Sequence, residues 1–516
     1  MNQEIVFNKE QKKAFTTLCS GKNVFLTGQA GTGKSFVIQQ YIKYCEENNK
    51  NVIITAPTGI AALNIGGATM HSTFGIPIPA YGHYEFDIQL SKIKPVTIAD
   101  VIIIDEISMC RNDVFEYFAI VLKKIKKDIG RNPQVIVVGD FYQLPPIVTK
   151  DELSKFKRLA LHESGYCFTT LAWKEMKFKC IELNEVVRQS NKEFVDNLNK
   201  LRKGDTSCLN YFNQRYSIDL PKDVLYICST NINANAINEE HLNNINSPSY
   251  VYTSTKEKIC AKEYITDDIL ILKENVKVMF VTNDVIDNNY QNGSIGTVVE
   301  CLSNSVKVQL EDGNIINVFK HEWKTNKITI VNGMTNKTQI GSYFQIPLKL
   351  AYAITMHKTQ GQTYDNAIIV PNSFADGQLY VALSRVRSID GLYLESPILE
   401  EYIKVNKLVN DFYENFEYII DEKIINKKKD LEKKAIEKHK QKKTKKKNTS
   451  TKKNSTRTKK NTTTQKKSSK STTKSKTTTK KSTTTRKSTS TKTSKPKTTK
   501  KTTSKKKTTK KPTTKK

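Results

Sequence analysis

The chain reads as an α/β protein with two parallel-sheet regions, a small antiparallel barrel inserted in the second, and a disordered basic tail at the C-terminus. Three observations predict this. Short β-branched runs, each followed by a turn and a helical pattern, recur through the first third of the sequence. A later stretch, NGSIGTVVECLSNSVKVQLEDGNIINV, alternates apolar and polar residues. Beyond Glu437 no large apolar residue remains.

The runs Asn23–Thr27, Asn51–Thr55, Val101–Asp105 and Gln134–Gly139 are apolar on nearly every residue, which suits parallel strands covered by helices on both faces. Between Ile76 and Pro95 the string IPIPAYGHYEFDIQLSKIKP holds too much Pro and Gly for a core element and reads as an excursion from this first domain. A second α/β region is expected from about Ile181, returning at Leu348–Val370. Within it, Val276–Ile328 carries NG and DG turn dipeptides between alternating runs, as the hairpins of a small barrel do. The residues past Glu437 cannot offset a backbone ordering cost of roughly 1–2 kcal/mol each, so no free structure is expected there.

Charge divides the chain in the same place. Of 84 basic and 51 acidic residues, 33 basic and no acidic ones lie in Lys438–Lys516, leaving 51 of each sign before them. The net charge of +33 therefore belongs to the tail, and a nucleic-acid site in the body has to come from local placement of charge. The cysteines (Cys19, Cys45, Cys110, Cys167, Cys180, Cys208, Cys228, Cys260, Cys301) are odd in number and never spaced as paired metal ligands, which argues for reduced thiols. No stretch approaches the ~20 apolar residues of a membrane span, so an intracellular, soluble protein is expected.

The first candidate site follows the first strand. GQAGTGKS, Gly28–Ser35, runs into the helical FVIQQYIKYCEE, the strand, loop and helix context of a phosphate-binding loop. Its glycines Gly28, Gly31 and Gly33 let backbone N–H groups turn inward, so the loop with Ala30 and Thr32 can cradle the phosphates of ATP. Lys34 is expected on the β- and γ-phosphates and Ser35 on Mg²⁺. VIIIDEISM, Val101–Met109, then delivers Asp105 and Glu106 at a strand's carboxyl end, where ligands of open α/β sheets bind. Asp105 suits the Mg²⁺ shell, and Glu106 suits the general base that polarises the attacking water.

The remaining strings, in their order, resemble the PIF-type DNA helicases of the RecD-like branch of superfamily one. VFNKEQKKAF carries Phe7 and Gln11, which resemble the family's adenine-reading element. ITAPTGIAALNIGGATMHSTFGI is close to its second motif, implying DNA contacts from Pro57, Thr58, Asn64 and His71, with Phe74 either stacked on a base or packed in the core. VVGDFYQLPPI puts Gln143 where the family senses the γ-phosphate, and RNDVFEYFAIVLKKIKK matches a stretch that marks the PIF group. LNEVVRQSNKEFVDNLNKLRKGD offers Arg188 from the second domain, and QLYVALSRVRSIDGLYL offers Arg385 as the second phosphate-sensing arginine. LKLAYAITMHKTQGQTYDNAIIV supplies Gly361 to the nucleotide and His357, Lys358 and Thr359 to DNA phosphates. Met356 stands where smaller residues are usual and is expected to pack, while Arg387 is expected on the surface.

The resemblance spans roughly Phe7 to Leu394. It implies RecA-like domain 1A over 1–180 with a wedge at about 76–95, and domain 2A over 181–400 with an SH3-like 2B insertion at about 276–345. A helical segment over 401–437 and the Lys/Thr/Ser-rich tail over 438–516 follow. It further implies an ATP- and Mg²⁺-dependent monomer that moves 5′→3′ on single-stranded DNA and opens forked or tailed duplexes; the lysine tail and the richness in Lys, Asn and Ile point to a nucleus or a viral DNA replication site. In the wedge, Tyr81, His83, Tyr84 and Phe86 could split base pairs or pin the loop to its own domain. The alternative activity is a DNA-stimulated ATPase or translocase without strand separation. The tail's lysines suit non-specific nucleic-acid binding, and nuclear targeting is a second reading of them.

Overall fold

The computed structural model describes residues 7–460 apart from 190, 223, 259–265, 285–288, 291, 311, 332–333 and 357, with the side chains of 60, 63–64, 326–337, 443 and 445–460 outside the description. His357, Cys260 and the tail beyond 460 therefore lie outside the described residues, as does the Asn64 side chain.

Six strands form the first sheet: β1 Val24–Gly28, β2 Val52–Ala56, β3 Ala68–Thr69, β4 Val101–Ile104, β5 Gln134–Val138 and β6 Lys179–Leu183. All pair in parallel, in the order β3-β2-β4-β5-β1-β6. Every residue of β1, β4 and β5 is buried, as uninterrupted apolar runs require. Helices Lys9–Cys19 and Lys34–Glu47 cover one face through Ala14, Leu18, Val37 and Tyr41. Helix Asn112–Ile129 covers the other through Phe115 and Phe118. Because β4, β5 and β1 are neighbours, their carboxyl ends bring Asp105, Asp140 and the Gly28–Ser35 loop to one edge of the sheet.

The second sheet is also parallel, ordered Ala353–Thr355, Tyr226–Cys228, Ala367–Ile369, Leu392–Leu394. Its placement corrects one expected boundary. Lys179–Leu183, read as the start of the second region near Ile181, is the edge strand of the first sheet and pairs with β1 from Val24 to Gly28. The second lobe begins after it.

Inserted in the second lobe is antiparallel structure. A five-stranded sheet runs Ile315–Phe319, Ser305–Leu310, Ile295–Cys301, Lys277–Phe280, Leu348–Leu350. The long hairpin His321–Val331 and Met334–Gln345 pairs with Thr255–Lys258. The insertion exceeds its expected limits of about 276–345 at both ends. Tyr250–Thr253 already pairs with Ile269–Leu272, and Leu348–Leu350, expected to resume the α/β pattern, closes the five-stranded sheet.

After the second sheet the chain returns to the first lobe. In helix Lys407–Asn415, Phe412 stacks on Phe168 with ring centroids 4.4 Å apart, and Tyr413 on Tyr142 at 4.7 Å. The last helix, Glu422–Lys460, begins in the expected helical segment and runs on past residue 437. The run is rich in lysine, a good helix former, and has no proline before 460. Met1–Lys442 forms one compact unit. No described helix is long and apolar enough to cross a membrane. The described cysteines are free, as expected of reduced thiols.

Candidate active site

The phosphate loop is built by its own backbone and by what leans on it. Gly31 has φ +81°, and a Cβ there would sit 2.5 Å from the Arg188 Cβ, so the position needs glycine for both conformation and space. Val187 and Arg188 donate their backbone N–H groups to the Gly31 carbonyl at 2.8 and 3.3 Å, holding the arginine segment directly on the loop. Lys34 folds over the loop, its Nζ donating to the carbonyls of Gly28 and Gln29 at 2.9 and 2.8 Å. Burial pushes this ammonium down to about 8, against the opposing pull of Asp140, Glu106 and Asp105. Thr32 is buried, its hydroxyl donating to the Gln29 carbonyl, while Ser35 is exposed at the helix start.

Beside it, Asp105 accepts a 2.8 Å hydrogen bond from the Glu106 N–H. Burial raises the Asp105 carboxyl. Burial, together with the neighbouring Asp105 charge, pushes Glu106 up to about 7, the range suited to a general base at neutral pH. Glu106 also holds a left-handed backbone at φ +50°, uncommon for a residue with a Cβ.

From the second lobe come both predicted arginines. Arg188 donates to the Ser384 carbonyl at 3.3 Å. Arg385, only 2% exposed, donates through Nε to the Val381 carbonyl at 2.8 Å and through Nη2 to the Ser384 hydroxyl at 3.0 Å. Its charge is felt at Glu106 and at Arg188, whose guanidinium is lowered to about 10 by burial and by this like charge. Gln143 is buried at the end of the β5 loop, and Gln360 Nε2 reaches both Glu106 Oε2 at 2.7 Å and Gln143 Oε1 at 3.4 Å. Lys34, Asp105, Glu106, Gln143, Arg188 and Arg385 thus share one cleft between the lobes.

Other expected residues fall differently. Gln11, read as an adenine reader, donates through Nε2 to the Thr32 carbonyl at 3.2 Å, and its Oε1 accepts from Asn8 N–H in a helix capping box. The amide braces the loop from behind. Phe7 lies beside Phe15 and Phe36 at 5.2 and 5.6 Å. Gly361 has φ +84° and open space where a Cβ would sit, so conformation and not close approach calls for glycine there.

On the expected strand-binding side, Pro57 and Thr58 are half-buried between β2 and helix Gly59–Asn64, and the Thr58 hydroxyl accepts from Ala61 N–H at 3.3 Å. His71 is half-buried in helix Met70–Phe74, its imidazole lowered by burial. The base-stacking alternative for Phe74 is corrected: the ring is 1% exposed and packs on Phe118 at 4.7 Å. Thr359 is likewise fully buried, and its hydroxyl donates to the Met356 carbonyl at 2.7 Å, whereas Lys358 beside it is only half-buried. Met356 is core, and Arg387 pairs with Asp365 at the surface, both as expected.

Four residues of this neighbourhood escaped sequence reasoning. Tyr380 accepts a 3.0 Å hydrogen bond from the Ala30 N–H of the phosphate loop. Arg202 forms a buried pair with Asp140. Lys349 lies in the field of Lys358, and burial plus that charge pushes its ammonium down to about 7. Gln360 stood inside a motif already singled out, between Thr359 and Gly361, and a polar side chain at that place was the available signal.

The profile of the PIF1-like helicases matches residues 6–211. The ATP-dependent DNA helicase Pif1 of Campylobacter jejuni is 31% identical over 78% of this chain and 97% of its own length. The chain belongs to the PIF1-like helicase family. Among solved structures, Pif1 from Bacteroides sp in complex with ADP-AlF4 superimposes with a TM-score of 0.71 at 31% identity, covering 80% of this chain and 97% of the other. Pif1 from Candida albicans gives a TM-score of 0.62 at 29% identity, covering 80% and 100%.

Proposed function

We propose that this chain, an ATP-hydrolysing DNA helicase by family, moves 5′→3′ along single-stranded DNA as a monomer and opens forked or tailed duplexes ahead of it. The observation that carries the reading is the shared cleft: the Arg188 segment of the second lobe bonds the Gly31 carbonyl of the first, Tyr380 accepts from Ala30 N–H, and Gln360 donates to Glu106. A nucleotide held there touches both lobes, so its cleavage changes how the lobes meet.

In this mechanism the loop N–H groups and Lys34 hold the phosphates of ATP. Glu106 takes a proton from the attacking water, whose position Gln143 helps to set. Arg188 and Arg385 stabilise charge on the transferring phosphoryl group when the lobes are closed. Ser35 and Asp105 offer a hydroxyl and a carboxylate, hard oxygen donors that suit Mg²⁺. When bound there, Mg²⁺ neutralises charge on the β- and γ-phosphates. Thr58, His71 and Lys358 contact the strand backbone. Pif1 from Bacteroides has been solved bound to ssDNA, which supports a strand as the occupant. The lysine tail adds sequence-independent attraction to nucleic acid at the site of DNA replication in a nucleus or a viral focus.

A specific observation favours the second reading, translocation without strand separation. The aromatics of the expected wedge are engaged: Tyr81 meets Phe156 at 6.0 Å, His83 meets Tyr117 at 5.7 Å, and Phe86 stacks on His439 of the last helix at 4.2 Å. Matched 5′-tailed and 3′-tailed duplexes with ATP separate the readings. Release from the 5′-tailed substrate alone supports the helicase; DNA-stimulated turnover with no release supports the translocase.

A further inference from the structure

The segment that follows the second sheet reaches the nucleotide cleft from behind. In helix Lys407–Asn415, Val409, Phe412 and Tyr413, with Phe416 just past its end, fall at i, i+3, i+4 and i+7 and form one apolar face. Val409 and Phe412 are buried in the first lobe's core, and the Phe412 ring lies 5.6 Å from that of Phe141. Core packing therefore fixes where Tyr413 stands. Its hydroxyl lies 2.6 Å from the hydroxyl of buried Thr27, the residue before Gly28 of the phosphate loop. It also accepts from Phe141 N–H at 3.2 Å and donates to Asp140 Oδ1 at 3.3 Å. The loop from Asp140 to Gln143 is folded around its first residue: Tyr142 N–H donates to Asp140 Oδ1 at 3.2 Å, and Gln143 N–H to the Asp140 carbonyl at 2.9 Å.

We propose that Tyr413 is a positioning residue for ATP hydrolysis, its hydroxyl fixing the Asp140–Gln143 loop against the end of β1 and so setting Gln143 relative to the phosphate loop. The inference rests on the reading of Gln143 as the group that helps to place the attacking water, and it adds a residue from beyond the last of the motifs. The pairing of β1 with β5 ends at Leu26 and Val138, and Gly139 N–H still reaches the Leu26 carbonyl at 3.2 Å. The phenol bridges the two chains where this ladder stops. A hydroxyl both accepts and donates, so one oxygen serves the Phe141 N–H and the Asp140 carboxylate together, which the ring of a phenylalanine cannot do. The Tyr413 ring, stacked on Tyr142 at 4.7 Å, holds the same loop by its face. Its effect on the reaction runs through Gln143.

The test measures ATP turnover and Tm for the full chain, with saturating oligo-dT, in the natural protein, Tyr413→Phe, Gln143→Ala, the double variant and Phe412→Leu. Tyr413→Phe keeps the ring and loses only the hydroxyl, so kcat falls about 3- to 10-fold, the span of one neutral hydrogen bond, with the ATP KM within about twofold. In the Gln143→Ala background the same change lowers kcat by less than about twofold, because the group it positions is gone. Phe412→Leu loosens the same helix and spares the hydroxyl; it lowers Tm, while kcat measured well below Tm stays within about twofold of the natural value. An unchanged kcat in Tyr413→Phe overturns the proposal. So does an equal fall in the Gln143→Ala background, or a fall in Phe412→Leu that matches Tyr413→Phe and marks the helix as merely structural. A natural kcat in Gln143→Ala alone instead sinks the reading of Gln143 itself.

Discussion

Arg202 and Asp140 join the two lobes behind the nucleotide cleft through two hydrogen bonds, Nε to Oδ2 at 3.0 Å and Nη2 to Oδ1 at 2.9 Å. Their side chains are 3% and 0% exposed, and the guanidinium lies over Tyr142 at 4.4 Å and Tyr413 at 5.4 Å. Asp140 begins the loop that ends in Gln143, and second-lobe Gly377, at φ +67°, packs so tightly on that loop that a Cβ would lie 2.2 Å from the Tyr142 carbonyl. Removing one member of such a pair strands a buried charge. Arg202→Met should lower unfolding stability by about 3–5 kcal/mol in denaturant titration, and the Arg202→Met/Asp140→Asn double variant should recover part of the loss.

Lys34→Ala should abolish ATP turnover and leave low-salt DNA binding intact, because the strand contacts lie on other elements. Steady-state hydrolysis alongside oligo-dT anisotropy checks both. Loss of DNA binding together with hydrolysis contradicts this division of labour.

Phe74 belongs to the core, so Phe74→Ala should cost about 3–5 kcal/mol of stability. Oligo-dT affinity, measured well below the variant's melting temperature, should not change. An affinity loss with unchanged stability would return the ring to the DNA.

The pH dependence of stability has a local contribution at Arg111. Its Nη2 meets Glu152 Oε1 at 2.9 Å and its Nε meets Asp113 Oδ1 at 3.0 Å. The hydrogen bond from Arg111 holds the Glu152 carboxyl at about 2, well under its ordinary 4.5. A carboxyl depressed by folding contributes stability that is complete above its unfolded value and is lost as pH falls toward the folded one. The stability gap between the natural protein and Arg111→Met should therefore be full at pH about 6 and narrow between about 4.5 and 2. A gap that widens on acidification has the wrong sign for this pair.

Strands and the phosphate loop were legible because their signals are local. A buried parallel strand must be apolar throughout, and a loop that wraps phosphate must carry glycine. Lys34, Asp105 and Glu106 could be named from such strings alone. Edge placement was not legible: β6 reads like any strand, and only its pairing with β1 assigns it to the first sheet. Gln11 and Phe74 illustrate a second limit, since an amide or a ring suits a ligand and a neighbouring chain segment equally well. The contacts of Gln360 with Glu106 and of Arg202 with Asp140 cross 254 and 62 residues, distances over which spacing carries no information. The last helix runs past 437 because lysine favours helix even where nothing apolar remains to bury.

The central claim is that hydrolysis is shared between the lobes. Single-turnover ATP hydrolysis by Arg385→Ala and Arg188→Ala, with saturating oligo-dT, tests it most directly. An arginine that stabilises the transferring phosphoryl group is worth about 10³–10⁵ in rate, so each variant should lose at least about a thousandfold while still binding ATP. Turnover within a few-fold of the natural protein would leave catalysis to the first lobe alone and contradict the account.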